Sequence, residues 1–369
     1  MKKWKTGFIS SFILASFKHV YRPFQIYYLH AFFFKVRKFI PLYAFKRHGY
    51  IVASSWSGKS ELIKVLLYRE LVKKKPKNSV IVMDPHWDLV EEIAKLKPMK
   101  NSAISNRVVY IDPSLHPKYS PSINPFEIED RSEKNIALMT QELRSIFEVL
   151  LQDANTTNQM SALLSPCIAT LLRRPGSNFS DLQRFMDDKN NHDLVALGSQ
   201  SPNLQHRSLF QTRFYSKMYW ATKHGLYTRM QVLLNEPVFQ NLISTETTLQ
   251  LKKLINQKKI VLFKLSLWES GSESVQSYGR FIVGMLRIIA FQRSNIPSAF
   301  RVPTYLFIDE FQNFISDDIE KGLTQLRKYG LHLILANQYI GQVSSPPLQK
   351  ALFSAGIQIA GKNERNSLR

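Results

Sequence analysis

The chain has 369 residues, which is enough for a large α/β domain together with an inserted or appended domain. Its apolar fraction of 44% argues against general disorder, and its single cysteine, Cys167, excludes an internal disulfide and a cysteine-based zinc site. The formal charge is +22, from 50 Lys and Arg against 28 Asp and Glu, so we expect a polyanionic partner, either nucleic acid or an anionic membrane surface.

The N-terminal segment is basic and aromatic. Residues 1–50 contain ten Lys and Arg and no acidic residue, and the first carboxylate is Glu61, so the remainder of the chain carries +12. Two uncharged stretches, 6–17 and 23–34, are each 12 residues long, whereas a membrane-spanning helix needs about 20. The pattern predicts that segment 1–47 lies on the cytoplasmic face of the membrane. The alternative is an ordinary basic helix packed on the following domain.

Strands and helices alternate along two parts of the chain. Short apolar runs predict strands at 50–53, 80–83 and 107–111, with helices at 62–74 and 88–96 between them. The same alternation returns with strands at 260–265, 304–308, 331–336 and 356–360 and helices at 274–293 and 319–329. Such alternation indicates an α/β fold with a mostly parallel central sheet. Residues 127–256 show helical patterns without a clear strand, so we predict an all-helical insertion between two parts of one nucleotide-binding domain, 48–126 and 257–369.

A phosphate-binding loop follows the first predicted strand. Residues 53–60 have the spacing of a P-loop with alanine in place of the first glycine. Gly58 allows close approach of the backbone, Lys59 is expected to contact the β- and γ-phosphates of ATP, and the Ser60 hydroxyl is expected to bind Mg²⁺. The positive end of the following helix adds to the attraction. The predicted nucleotide-binding residues are Ala53, Ser54, Ser55, Trp56, Ser57, Gly58, Lys59, Ser60 and Glu61.

Two acids, Asp309 and Glu310, follow the apolar run 305–308. A buried central strand places such acids at the sheet edge where ligands bind. Asp309 is expected to hold Mg²⁺ through water, and Glu310 is expected to polarise the water that attacks the γ-phosphate. Acids are also favoured at helix N-termini, but the P-loop in the same chain favours the enzymatic interpretation. The wide gap between Lys59 and Asp309 is explained by the helical insertion.

With these motifs the chain resembles the coupling ATPases of conjugation and type IV secretion, in the FtsK/HerA branch of RecA-like motor ATPases. The resemblance covers about residues 48–360, and its most specific part is the run of YLFIDEFQNF at 305–314, RKYGL at 327–331 and LILANQYIGQV at 333–343. Further matches are VIVMDPHWD at 80–88, VVYIDP at 108–113, INPF at 123–126 and IVLFKLS at 260–266. It implies a RecA-like fold and a resemblance of the insertion to the family's all-alpha domain.

The resemblance also implies two further site residues. Gln338 is similar to the glutamine that senses the γ-phosphate, and Arg327 is similar to the arginine that reaches a neighbouring subunit's nucleotide. Without the family, Gln338 would be interpreted as a strand-end cap and Arg327 as a solvated helix charge, with Lys328 beside it as a competitor. The implied assembly is a hexameric ring on the membrane, which moves DNA through contacts to its phosphates and works with a relaxase or with secretion-channel proteins.

Two alternatives remain. A related secretion ATPase that energises pilus assembly or protein export would have the same core, but its activity would not respond to DNA. A scaffold that binds ATP without hydrolysing it would be consistent with the unusual Trp56, although the intact Lys59, Asp309 and Glu310 argue against it.

Overall fold

The computed structural model describes residues 40–54, 57–116, 120–151, 158–243, 246–266, 271–314, 323 and 325–361. The described residues from 42 onwards belong to one compact unit. Most of the predicted membrane-proximal segment 1–47 therefore lies outside the described residues. Within the part of the chain that is described, no helix has the length and apolar character needed to cross a membrane.

The centre of the fold is a sheet of seven strands in the order β3-β4-β2-β5-β6-β1-β7, and every neighbouring pair is parallel. The inner strands β2, β4, β5 and β6 are buried along their whole length, as the continuous apolar runs predict. The α/β fold class is thereby confirmed. The strands are β1 (Gly49–Val52), β2 (Ser79–Asp84), β3 (Val108–Ile111), β4 (Ile260–Lys264), β5 (Thr304–Ile308), β6 (Leu331–Asn337) and β7 (Ile357–Ala360).

Thirteen α-helices and several short helical turns surround the sheet in the described residues. The α-helices are α1 (Lys59–Leu71), α2 (Asp88–Ala94), α3 (Ser102–Ser105), α4 (Glu133–Leu150), α5 (Asn158–Arg173), α6 (Phe179–Phe185), α7 (His192–Gly198), α8 (Leu204–Ser208), α9 (Trp220–Asn235), α10 (Pro237–Leu242), α11 (Leu251–Asn256), α12 (Ser272–Gln292) and α13 (Pro346–Phe353). Residues 319–322 and 324 of the predicted helix 319–329 lie outside the described residues, and the end of this segment forms a 3₁₀ helix at Leu326–Tyr329.

Between β3 and β4 the described residues contain helices α4 to α11 and no strand. Helix α4 of this helical region packs against α12, which follows β4. A side chain at Gly284 of α12 would come within 2.6 Å of Ile146 on α4, so only glycine permits this close approach. An ion pair joins the same helices, with 2.9 Å between Arg287 Nε and Glu142 Oε2. That the helical region forms a separate domain with the bounds 127–256 stays a prediction.

Two buried histidines lie where β1 and β6 begin. The Nδ1 atom of His48 accepts a hydrogen bond of 3.0 Å from the backbone N–H of Leu333, and His48 has a left-handed backbone with φ of 64°. Burial, with a smaller contribution from Arg327, lowers the pKa of His48 to about 4. Burial and the neighbouring His48 likewise lower the pKa of His332 to about 4. Both imidazoles are therefore neutral at physiological pH.

We expect this burial to make the fold sensitive to acid. Between pH 6.5 and pH 4 the unfolded chain binds a proton at His48 that the folded chain does not, so stability is complete above pH 6.5 and is lost as the pH falls. The loss amounts to about 3 kcal/mol for one such histidine. His48→Asn keeps a side-chain acceptor and tolerates the positive φ. Urea unfolding measures the free energy of unfolding at pH 7 and at pH 4. The decrease between the two pH values should be about 3 kcal/mol smaller in this variant than in wild type, and an equal decrease would contradict the explanation.

Candidate nucleotide-binding and catalytic site

The ends of three neighbouring strands bring the predicted site residues together. Val52 at the end of β1 is in register with Asn337 of β6, and Leu335 of β6 is in register with Ile308 of β5. The strand β6 therefore lies between the P-loop strand and the strand that carries the two acids. Because the strands are parallel, their carboxyl ends share one edge of the sheet, which we call the carboxyl edge.

The P-loop closes on itself between β1 and α1. The backbone N–H of Ala53 donates to the carbonyl of Asn337 at 3.1 Å, and the Ser57 N–H and hydroxyl both donate to the carbonyl of Ser54. Gly58 has φ of 86° and immediately precedes the helix, a conformation that suits glycine and disfavours other residues. The loop thus aims the first N–H groups of α1 at the carboxyl edge, where an anion would bind. Ser55 and Trp56 lie outside the described residues.

The helix α1 begins earlier than its apolar periodicity predicts. We predicted its start at residue 62, and it starts at Lys59, because Gly58 supplies the left-handed turn directly before it. Lys59 and Ser60 are therefore part of the first helical turn. Glu61 lies in the same turn, but its exposed carboxylate pairs with Lys64, so its side chain does not face the carboxyl edge.

Lys59 contacts both predicted catalytic acids. Its Nζ atom is 2.7 Å from Asp309 Oδ1 and also donates to Glu310 Oε1, and the three side chains are at most 10% exposed. Burial opposes the charge on Lys59, but the two carboxylates outweigh it and raise the lysine pKa. Lys59 is thus held as a cation at the point where a phosphate would compete with the carboxylates for it.

Glu310 is fixed from several sides. Its backbone is left-handed, with φ of 44°, and its Oε2 atom accepts a hydrogen bond of 2.8 Å from Gln312. Gln338 donates to Glu310 Oε1 at 3.3 Å. Burial opposes ionisation of Glu310, but the bonds from Gln312, Lys59 and Gln338 outweigh it and lower its pKa. The residue is therefore an oriented carboxylate at neutral pH, and non-glycine strain of this kind is concentrated at functional sites.

Asp309 differs from its neighbour. It is buried, and burial raises its pKa, although Lys59 acts in the opposite direction. Its Oδ1 atom accepts the backbone N–H of Glu310 at 2.9 Å, and its own N–H donates to the carbonyl of Met83 on β2. This second bond ties the tip of β5 to the tip of β2.

The structure adds Asp84, which the motif analysis did not name as a site residue. It ends β2, is buried, and accepts backbone hydrogen bonds from His86 at 2.9 Å and Val90 at 3.2 Å. Burial and the nearby Asp309 raise its pKa to about 6. The acid at the end of the apolar run 80–83 was the available signal, but it became meaningful only once β2 was known to lie beside β5.

Hydrogen bonds from neighbouring residues support the end of β6, next to Gln338. The Tyr50 hydroxyl donates to Asn337 Oδ1 at 3.0 Å, and Asn337 Nδ2 donates to the carbonyl of Tyr339 at 2.9 Å. The N–H of Gln338 donates to Gln342 Oε1 at 3.0 Å. These contacts connect the P-loop strand to the loop after β6, so a displacement of one is transmitted to the other. Sequence reasoning missed Tyr50, because its contact joins distant parts of the chain, and it missed Gln342, because the backbone turn after β6 carries no motif of its own.

Arg327 lies away from these residues. It is an exposed residue of the 3₁₀ helix Leu326–Tyr329, which directly precedes β6, and it affects the pKa values of His48 and His332 at the beginnings of the strands. Gln338 follows the other end of β6. Seven residues of strand correspond to about 20 Å, so Arg327 cannot act on the site of its own chain.

The donor set suits magnesium. Ser60 and Asp309 offer a hydroxyl and a carboxylate, which are the hard oxygen ligands that Mg²⁺ prefers alongside phosphate oxygens. Among the described residues no group of three or more His, Cys, Asp or Glu side chains is placed to hold a metal. A site built from one hydroxyl, one carboxylate and the phosphates of a nucleotide does not need such a group.

The fold and the site together are those of the RecA-like class of P-loop proteins. In this chain β6 separates the P-loop strand β1 from β5, which carries the paired acids. The chain belongs to the family described as type IV secretory system conjugative DNA transfer, whose model matches residues 24–351. A search of curated proteins by sequence found no match.

Solved structures agree with the fold. The plasmid coupling protein TrwB in complex with ADP and Mg²⁺ is similar with a TM-score of 0.56 and 14% identity, over 86% of this chain and 70% of TrwB. Unbound TrwBdeltaN70, a bacterial conjugative coupling protein, is similar with a TM-score of 0.55 and 14% identity, over 85% of this chain and 67% of TrwBdeltaN70. VirB4 of Thermoanaerobacter pseudethanolicus is similar with a TM-score of 0.50 and 15% identity, over 86% of this chain and 78% of VirB4. At this level of identity the likeness establishes the fold.

Proposed function

We propose that this protein is an ATP-driven DNA translocase, the coupling protein of a conjugative type IV secretion system, and that it works as a ring on the cytoplasmic face of the membrane. The observation that carries the proposal is the contact of Lys59 with Asp309 and Glu310 at the end of the P-loop, with Gln338 bonded to Glu310. Family membership supports DNA as the substrate class, since the matching family is that of conjugative DNA transfer.

The residues divide the work of hydrolysis among them. Lys59 and the first N–H groups of α1 would hold the phosphates, and Ser60 and Asp309 would hold Mg²⁺, which would supply positive charge beside the phosphate oxygens. Glu310 is ionised and oriented, so it can orient a water molecule in line with the γ-phosphate. Gln338 touches Glu310 directly, and loss of the γ-phosphate would therefore be transmitted to the loop after β6.

A complete site needs a second copy of the chain. Arg327 directly precedes the amino end of β6, whereas Glu310 follows the carboxyl end of the neighbouring strand β5. An arginine that neutralises the transferring phosphoryl group must then come from a neighbouring subunit, which requires head-to-tail contacts. Such contacts close into a ring, and we propose a hexamer with DNA in its channel and with a relaxase or secretion-channel proteins as further partners.

One mixing experiment tests both the activity and the shared site. We expect duplex or single-stranded DNA to stimulate ATP hydrolysis by the full chain, and Arg327→Ala and Glu310→Gln each to abolish the stimulated rate. In an equal mixture, subunits with an intact Arg327 meet subunits with an intact Glu310 at about a quarter of the interfaces, so up to about a quarter of the stimulated rate should return.

The exposed neighbour Lys328 provides the matched control, since Lys328→Ala removes a charge from the same 3₁₀ helix and should change the rate little. Activity that is indifferent to DNA would favour a motor for protein export or pilus assembly. ATP binding without hydrolysis would favour a scaffold. A mixture as inactive as its components would contradict the shared site.

A further inference from the structure

The excess positive charge outside residues 1–50, which is +12, has a definite place in the fold. Residues 127–256 are nearly neutral, with 14 Lys and Arg against 13 Asp and Glu, so the helical region does not hold the excess. The cations lie instead in the segments that directly precede the strands. In a parallel sheet all these segments meet at one side, opposite the nucleotide site, which we call the amino edge.

The loop before β2 is the most basic of these segments. Four of the five residues 73–77 are lysines, and Lys74, Lys75 and Lys77 are exposed. Residues 258–259 before β4, residues 327–328 before β6 and residues 46–47 before β1 are each a pair of cations. None of the segments 42–48, 72–78, 257–259, 293–303 and 326–330 contains an acidic residue.

Hydrogen bonds show that these segments form one surface. Arg107 before β3 donates to the carbonyls of Glu70, Leu71 and Lys73, at 3.1 to 3.3 Å, and so fixes the end of α1 and the lysine loop beside β3. Lys259 donates to the carbonyl of Asn106 at 2.6 Å. Arg301 before β5 donates to the carbonyl of Lys328 before β6. The N–H of Ser79 at the start of β2 donates to the carbonyl of Pro303 before β5 at 2.9 Å, so the segments before β2, β3, β4, β5 and β6 are joined along the amino edge.

Large apolar side chains are exposed among the cations. Phe300 before β5 is 79% exposed and Tyr43 before β1 is 67% exposed. Val72 at the end of α1 and Ile296 after α12 are also exposed. Cations mixed with protruding aromatic and aliphatic groups are typical of surfaces that lie at the headgroup level of a membrane.

We propose that the part of the amino edge before β3, β4, β2 and β5 docks on an anionic membrane surface, with its lysines and arginines on lipid phosphates and with Phe300 inserted among the headgroups. Duplex DNA would match the cations but would leave the exposed aromatic groups without a partner. Arg327 precedes β6, which lies beyond β5 in the strand order, so its proposed contact with a neighbouring subunit and the lipid contact occupy adjacent parts of the amino edge.

The test compares two triple variants of the full chain that lose the same charge. The first is Lys74→Gln, Lys75→Gln and Lys77→Gln at the amino edge, and the control is Lys134→Gln, Lys189→Gln and Lys217→Gln, three exposed lysines of the helical region. Binding is measured by co-sedimentation with vesicles of phosphatidylcholine and phosphatidylglycerol, at the salt concentration that gives half-binding of wild type. Each surface cation contributes about fivefold, so the amino-edge variant should bind about 100-fold more weakly than wild type.

The control variant should bind less than 10-fold more weakly, and Phe300→Ser should weaken vesicle binding several-fold without a change of charge. Affinity for DNA, measured on the same proteins by fluorescence anisotropy, should change little in the amino-edge variant. A loss of DNA affinity with unchanged vesicle binding would assign the edge to DNA and overturn the proposal. Equal losses in both triple variants, or no loss in either, would also overturn it. ATP hydrolysis without DNA is measured in parallel, so a failure here is distinguishable from a failure of the proposed activity.

Discussion

Glu310→Gln is expected to lower the rate of ATP hydrolysis by about 100- to 1000-fold while ATP binding changes by less than about threefold. The amide has nearly the shape of the carboxylate and can still meet Gln312 and Gln338, so the site should keep its geometry. What it loses is the negative charge that orients and polarises water. Single-turnover hydrolysis and equilibrium binding of ATP, measured on the same preparation, separate the two effects.

A second carboxylate near the loop provides the control for this prediction. Glu61 is exposed and pairs with Lys64, so Glu61→Gln should leave hydrolysis within about twofold of wild type. Equal losses in the two variants would show that general charge near α1 matters rather than the orientation of Glu310. Hydrolysis that survives in Glu310→Gln would remove this residue from the proposed chemistry.

Lys59→Ala is expected to abolish hydrolysis and to weaken ATP binding at least 10-fold, because the phosphates lose their charged partner. The same change should also destabilise the protein without nucleotide. Lys59 compensates Asp309 and Glu310, which are at most 7% exposed, and removal of one partner from a buried ion pair costs about 3 kcal/mol. Urea denaturation at pH 7 measures this loss.

Lys64→Ala removes a lysine from the same helix, but its partners Glu61 and Glu92 are more than half exposed. Surface pairs contribute little, so this variant should keep its ATP affinity and lose less than about 1 kcal/mol. If Lys59→Ala were as stable as Lys64→Ala, the cluster at the carboxyl edge would not be the buried ion pair described here.

The strands were predictable because a parallel sheet covered on both faces needs short, continuous apolar runs. The runs at 80–83, 260–265 and 304–308 match β2, β4 and β5 within one residue at either end. The start of α1 was predicted three residues too late, since Lys59 and Ser60 interrupt the apolar periodicity while a backbone turn at Gly58 decides where the helix begins. Periodicity reports which face is buried and says little about caps.

The centre of the site was predictable for a different reason. Lys59, Asp309 and Glu310 each follow a strand, and the carboxyl ends of parallel strands meet at one edge, so local motifs were sufficient to place them together. Asp84 was not assigned to the site, because the effect of Asp309 on its pKa depends on the strand order. The distribution of charge also needed the fold, since the basic segments at 73–77, 258–259 and 327–328 are adjacent only when the strands are parallel.

The most direct test of the account is movement of DNA by the protein. A third strand bound to a duplex as a triplex is displaced when a motor passes along the duplex, and its release is measured by fluorescence. We expect the full chain to release the strand with ATP and Mg²⁺ and to fail with a non-hydrolysable analogue or with Glu310→Gln. Hydrolysis of ATP without any release of the strand, on duplexes of either orientation and with single-stranded tails, would contradict the assignment of this protein as a DNA translocase.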